Sequence, residues 1–483
     1  MIKKLIVLGI DGMDFDVVRR YERDLPTISG LIAKNPDTRM RSVFPADTTP
    51  AWSTIYLGVD PSVHGVINFV NVGAKDNTYK PLVFDDSVFK GKAFWDVLAQ
   101  EGVTSSIVLP MNIKEGWEVP GGVMITRPNP RDGHIKVWPE SKRNIYEPRE
   151  DILGTEGKFT NEAALKGLKQ EFFDKVKEEA RLTKLVIENE ECDVLFSYFS
   201  TTDGIQHDFW RHCNPSHPGY PGRNEHEDTI KEMYAYMDRF IAEVMEMQPD
   251  VPVLVLSDHG HGARPVKIAR VNEILRQGGY LEPKAGTGAS NGAKRRAKKA
   301  LKGAAVGIVK KVGLPRPLMK LAKKFPLWKG LFASGNDFDW DKTKAYLSDL
   351  SALKNYSYGG IRISEWVEDK DSLADEIISY LQTVKKPDGD PLFEWISRTN
   401  KFYHGTYLNK YPEIIFQMDE LYGGEWELGE NVFGDAGFMH ALSPGGHRWR
   451  TAVLFGSGIE LEPKQYEMTE VCPLILKLVR GAQ

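Results

Sequence analysis

The chain opens on a short, unbroken apolar run. KKLIVLGIDG has no polar alternation from Leu5 to Ile10 and stops at a glycine and an aspartate. That is the pattern of a central parallel strand buried on both faces. LPTISGLIAKN then reads as a helix that opens after a proline. The alternation repeats. KAFWDVLAQEG is a helix closed by Gly102, and VTSSIVLP a strand. FFDKVKEEARLTKLVIENEE is a long amphipathic helix, and CDVLFSYFSTTD a strand ending in Asp203. DTIKEMYAYMDRFIAEVMEM is a further helix, and VPVLVLSDHG a strand ending in Asp258. Helix and strand in turn predict an α/β fold with a doubly wound, mostly parallel central sheet flanked by helices.

Residues 284–335 break this rhythm. Lys and Arg are dense there and interleaved with Leu, Val and Phe, which predicts a basic helical insertion or lid. Such a helix can pack as a solvated lid, contact an anionic membrane surface peripherally, or gather an anionic substrate. The core is then discontinuous, residues 1–283 and 336–483. In its second part DWDKTKAYLSD, GGIRIS and YPEIIFQMD read as strands and SLADEIISYLQTV as a helix. This is a smaller α/β segment, after which the chain returns to the core with a strand at Thr451–Phe455.

Composition narrows the class. The 483 residues are 41% hydrophobic and 27% charged, ordinary for a globular protein. A net charge of -4 gives no global case for nucleic-acid binding. The three cysteines, Cys192, Cys213 and Cys472, form no C-x-x-C pair, so neither a thiolate zinc site nor a disulfide framework is expected. Few cysteines, and an N-terminal apolar run that Asp11 cuts short, predict a reducing, cytoplasmic setting. Nothing in the chain specifies an oligomer.

The candidate chemistry sits at the strand ends. Asp11, Asp203 and Asp258 each close a predicted strand, and in an open parallel sheet ligands bind at those ends. Three carboxylates brought together repel unless cations hold them. Histidines accompany them: His207 four residues after Asp203, His259 directly after Asp258, and His447 in PGGHRWR. Asp and His side chains are zinc ligands. One Asp–His pair with a third His makes one three-ligand site; the other pair with Asp11 makes a second, each keeping the open position that catalytic zinc requires. In FPADTTPAWSTIYLG, Thr48 and Thr49 fall in a turn and Pro50 is expected to open a helix at its first position. A hydroxyl there lies beside free N–H groups and the positive end of the helix dipole, where phosphate oxygens bind well.

These residues resemble the alkaline phosphatase superfamily, in its type I phosphodiesterase/nucleotide pyrophosphatase-like branch of predicted phosphohydrolases and phosphomutases. The resemblance rests on GIDG at Gly9–Gly12, TTPAW at Thr48–Trp52 and GVDPSVHG at Gly58–Gly65. It continues with TDGIQHDFW at Thr202–Trp210, SDHG at Ser257–Gly260 and GGH at Gly445–His447. It implies that Thr48 is the nucleophile and that Asp11, Thr48, Asp258 and His259 hold one metal ion. Asp203, His207 and His447 would hold the other. The family context favours Thr48 over Thr49, His259 over His261, and His447 over His440. It makes His64 a structural or supporting residue. The implied cofactors are two divalent ions, zinc, with manganese tolerated. The implied activity is hydrolysis of a small-molecule phosphate ester, as phosphodiesterase or phosphatase, through a phospho-threonine. The alternatives are a phosphomutase or phosphotransferase on the same scaffold, or a membrane-surface protein that binds a phosphorylated headgroup. The better-known diesterases carry an asparagine soon after their HG motif. Here that position is Phe69, which leaves Asn68 and Asn71 as candidates to contact the substrate.

Overall fold

The computed structural model describes residues 1–68, 84–129, 132–154, 164–284, 338–348, 350, 356–429, 431–436 and 443–481. Asn71, His440 and the basic segment from 285 onward fall outside them. The central sheet has seven strands, labelled here in chain order: β1 Ile2–Ile10, β2 Ser105–Val108, β3 Met124–Ile125, β4 Val137–Trp138, β5 Cys192–Phe199, β6 Val253–Leu256 and β7 Leu454–Ser457. Their order across the sheet is β7-β6-β1-β5-β2-β3-β4. The inner five run parallel; β7 and β4 are antiparallel edges. β1 lies between β6 and β5, with Gly9 level with both Leu256 and Tyr198.

The unbroken apolar character of β1 has the expected cause, because both faces are covered. Ile6, Leu8 and Ile10 pack on one side with the helices Pro26–Lys34, Leu165–Asn189, Thr201–Cys213 and Thr229–Met247. Leu5 and Val7 pack on the other with Thr48–Leu57, Phe94–Gln100 and Val471–Gly481. Each such fully buried side chain stabilises by roughly 1.5–3 kcal/mol. Among the described residues no helix is long and apolar enough to cross a membrane.

Three local expectations are corrected. Pro50 does not open its helix. The helix starts at Thr48, because the Asp47 side chain caps it by accepting from the Thr49 N–H at 3.2 Å. Pro50 is tolerated at the third position, where a backbone N–H would have no partner within the helix. Asp203 does not end a strand. β5 stops at Phe199 and Asp203 lies in the first turn of the Thr201–Cys213 helix. Glu179 of the long helix starts that turn by accepting from Ser200 N at 3.0 Å, Ser200 Oγ at 2.7 Å and Thr201 Oγ1 at 2.8 Å. The final core strand begins at Leu454 rather than Thr451, since Thr451 turns inward to hydrogen-bond Asp14.

The smaller segment is a four-stranded antiparallel sheet, ordered Ala345–Leu347, Tyr358–Ile363, Ile414–Met418, Phe393–Arg398, with the helix Lys370–Leu381 and its own core around Ile361, Ile377, Phe416 and Trp426. It grips the stretch just before Thr48. Tyr403 Oη accepts from Phe44 N at 2.8 Å and donates to Phe44 O at 3.0 Å. Tyr411 Oη donates to the same carbonyl at 3.1 Å, and Tyr358 Oη donates to Ala46 O at 3.0 Å. Tyr358→Phe should cost about 1 kcal/mol of stability. Denaturant melts of wild type and variant check this.

Candidate functional site

The sheet order brings the acidic residues together. Asp11 follows β1 directly, Asp258 lies two residues after β6, and the helix after β5 carries Asp203. All three sit at the carboxyl ends of three adjacent parallel strands. His207 lies one turn below Asp203 on the same helix face. His447 arrives on a two-stranded ribbon, Gly445–Arg448 paired with Gly260–Ala263, which sets it level with His261. His259 immediately precedes that ribbon.

Two glycines make the close approach feasible. A Cβ on Gly9 would stand 2.5 Å from the Trp52 ring, and it is Trp52 Nε1 that donates to Asp11 Oδ2 at 3.1 Å. Gly12 has φ +67, and a Cβ there would meet the Asp203 Cβ at 3.0 Å. The Gly12 N–H donates to Asp258 Oδ1 at 3.1 Å.

Each of the three carboxylates turns an oxygen inward. Asp11 Oδ2 accepts from Trp52 and from Tyr198 Oη, the latter at 2.5 Å. Asp11 Oδ1, Asp258 Oδ2 and Asp203 Oδ1 are buried and accept no hydrogen bond. The imidazoles face the same way. His207 Nδ1 is 3.0 Å from Gly445 O, His259 Nδ1 3.0 Å from Gly260 O, and His447 Nδ1 2.9 Å from Ala46 O. A carbonyl accepts only, so these partners assign the proton to Nδ1 and leave each Nε2 lone pair free. His207 Nε2 and His447 Nε2 then stand 3.0 Å apart with no proton between them.

Two clusters result. Asp11 Oδ1 and Asp258 Oδ2 lie 3.6 and 3.2 Å from His259 Nε2, with Thr48 Oγ1 at 3.1 Å from the same nitrogen. Asp203 Oδ1 lies 3.4 Å from both His207 Nε2 and His447 Nε2. Ligands of one tetrahedral zinc ion stand roughly 3.4 Å apart. The orphaned oxygens, the free imidazole lone pairs and these separations all fit divalent ions. Asp11, Asp258 and His259 form one metal-type group, and Asp203, His207 and His447 another.

Electrostatics agrees. Burial pushes the Asp11 and Asp258 carboxyls well above the usual range, and neighbouring carboxylates add to it: Asp203 at Asp11, Asp11 and then Asp203 at Asp258. Burial acts on Asp203 too, but His207, His261 and His447 outweigh it and hold that carboxyl well below its ordinary value. Burial also pushes His207 down to about 3, His259 to about 4, and His447 well below the imidazole range. The histidines are therefore neutral at neutral pH, as ligands must be.

All seven residues singled out in the sequence meet here, and Thr48 points its hydroxyl at one cluster. His261, ranked below His259, is fully buried with Nδ1 3.2 Å from Asp203 Oδ1, and groups with Asp203 and His259. His64 packs as a structural residue. Its Nδ1 accepts from Val66 N at 3.1 Å, and its Nε2 meets Thr54 Oγ1 at 3.0 Å on the Thr48 helix. Asn68 is buried. Sequence reasoning missed Arg127 and the three tyrosines of the smaller segment. Arg127 follows β3 at the same sheet edge, and a cation closing an apolar run was the signal available.

Residues 5–314 match the family described as type I phosphodiesterase / nucleotide pyrophosphatase. Among solved structures, murine ectonucleotide pyrophosphatase/phosphodiesterase 5 is 13% identical over 99% of this chain and 95% of that one, with a TM-score of 0.49. The human protein of that name is 12% identical over 99% and 95%, at 0.48. Phosphonoacetate hydrolase from Sinorhizobium meliloti 1021, in complex with phosphonoformate, is 12% identical over 100% and 96%, at 0.50, a likeness of fold. No curated protein matches. The family match defines a metal-dependent phosphoric ester hydrolase. The chain belongs to the type I phosphodiesterase/nucleotide pyrophosphatase family. That match includes six of the seven residues; His447 lies beyond it and joins them through the ribbon.

Proposed function

We propose that the protein hydrolyses a small phosphate ester by two in-line displacements at phosphorus, with Thr48 as the first nucleophile. The observation that carries this reading is the Thr48 hydroxyl beside one of two Asp/His clusters in a chain of this family. Asp11, Asp258, His259 and Thr48 would hold one divalent ion, and Asp203, His207 and His447 the second; zinc suits the donor set. Bound there, the two ions would supply the positive charge that favours the threonine alkoxide and neutralises the departing oxygen.

The chain's own residues do the rest. Trp52 and Tyr198 fix Asp11, and the Gly12 N–H fixes Asp258, so the carboxylates need no reorganisation during turnover. Asp47 caps the helix and holds Thr48 at its positive end. Thr48 Oγ gives up its proton to solvent and bonds to phosphorus as the ester oxygen leaves; that oxygen takes up a proton and departs as the free alcohol. Water then attacks the phospho-threonine from the side that oxygen vacated, returning Thr48 and releasing phosphate or a monoester.

The test is hydrolysis of nitrophenyl phosphate mono- and diesters by zinc-loaded protein, with loss of activity in chelator and recovery on re-addition. No cleavage of either ester by loaded protein contradicts the reading. Transfer to an acceptor alcohol without free phosphate would mark a phosphotransferase instead.

A further inference from the structure

We propose that Arg127 recognises a second negative charge on the substrate, so that the enzyme favours phosphate esters bearing two charges over singly charged diesters. This rests on the hydrolase reading above.

Arg127 lies two residues beyond β3, at the same edge of the sheet as the Asp/His clusters, and is only half-buried. Its guanidinium sits 5.0 Å from the centre of the Tyr198 ring. That ring donates its hydroxyl to Asp11 and packs edge-on against Trp52 at 5.0 Å, the other side chain that binds Asp11. Stacking on a fixed aromatic ring holds an arginine in place while leaving its planar N–H edge available. Among the described residues Arg127 makes no hydrogen bond and no close ion pair; Asp11, an acidic neighbour, feels its charge across the Tyr198 ring. A half-buried guanidinium whose N–H groups touch no carboxylate, at the edge that carries the Asp/His clusters, is suited to an anion that arrives with the substrate.

Arg264, the other arginine at the cluster, is committed: it is buried, donates to Gly445 O at 3.2 Å and Ser443 Oγ at 3.3 Å, and lies over Tyr356. Arg127 is open.

Two neighbouring features show that this edge is built to hold a fixed geometry. Leu109 and Asn112, in the loop after β2, have φ +55 and +70, a region costly for residues other than glycine. Asn112 Nδ2 donates to Thr49 O at 2.8 Å and Ser53 Oγ at 3.0 Å, tying that loop to the Thr48 helix.

The experiment compares zinc-loaded wild type, Arg127→Ala and Arg127→Lys on p-nitrophenyl phosphate, which is doubly charged, and on methyl p-nitrophenyl phosphate, which is singly charged. Arg127→Ala should lose roughly 100-fold in kcat/KM on the first and less than about threefold on the second, with Lys restoring part of the loss. Equal losses on both substrates, or none on either, overturn the proposal. A parallel calorimetric titration with inorganic phosphate needs no turnover. Arg127→Ala should bind at least about tenfold more weakly, and unchanged affinity overturns the proposal. If wild type cleaves neither ester, the hydrolase reading fails on its own and the phosphate titration decides the role of Arg127.

Discussion

Thr48→Ala is expected to lower phosphate-ester hydrolysis by roughly 10⁴-fold or more while the protein stays folded. Loss of a covalent nucleophile is among the largest single-residue effects in enzymes. The fold should survive because the helix start does not depend on this hydroxyl: Asp47 provides the cap, and Thr48 is half-exposed while Thr49 to Tyr56 are buried. Thr48→Ser keeps the oxygen and should retain measurable turnover. Thr49→Ala leaves the Thr48 hydroxyl beside His259 untouched and should keep most of the activity. Steady-state rates for the three variants, with mass spectrometry of acid-quenched enzyme for a phosphate adduct on Thr48, check this. Full activity in Thr48→Ala would remove the nucleophile from the account.

The second large effect concerns the carboxylates without their ions. Stripping bound metal should lower the melting midpoint. An ion held at roughly 1,000-fold over its dissociation constant stabilises by about 4 kcal/mol, which for a chain of this size is about 4 °C. The cause is burial of Asp11 and Asp258 beside like charge. Their pKa values are raised in the folded state, so the stripped protein loses stability as pH rises and these groups ionise. The histidines act in the other direction. With folded values of about 3 for His207 and about 4 for His259 against an ordinary 6.5, their stabilisation is present above 6.5 and is lost as pH falls towards those values. Stripped protein should therefore be most stable in a narrow window and weaken on both sides. Asp11→Asn removes one of the repelling charges. It should raise the midpoint of stripped protein at neutral pH while abolishing activity of protein supplied with zinc. Melting curves across pH, with and without chelator, test this; a lower midpoint for stripped Asp11→Asn would contradict it.

How much of this was legible in the sequence follows from how far each residue's partner lies along the chain. Asp11, Asp258 and His259 could be read because they directly follow apolar runs too continuous to be anything but central strands. Asp203 and His207 were paired by their spacing of four, yet their element was misassigned. TTDG after a strand looks like a loop, and only Glu179, more than twenty residues earlier, makes it a helix start. Pro50 misled for a related reason. Proline is favoured at a first helical position, but Asp47 outcompeted it as the signal for where the helix begins. The hold of Tyr358, Tyr403 and Tyr411 on residues 44–46 spans more than three hundred positions and leaves no local pattern. Arg127 showed only as a cation closing an apolar run, because its meaning comes from the distant ring it stacks on.

The central claim is that these seven side chains form two separate ion sites. Its most direct measurement is bound metal per chain, by elemental mass spectrometry after equilibration with zinc and removal of free ion. Wild type should hold two ions, while Asp203→Asn and Asp258→Asn should each keep one, lost from opposite halves of the centre. A wild-type protein that retains no zinc, or variants that both still retain two ions, would contradict the account.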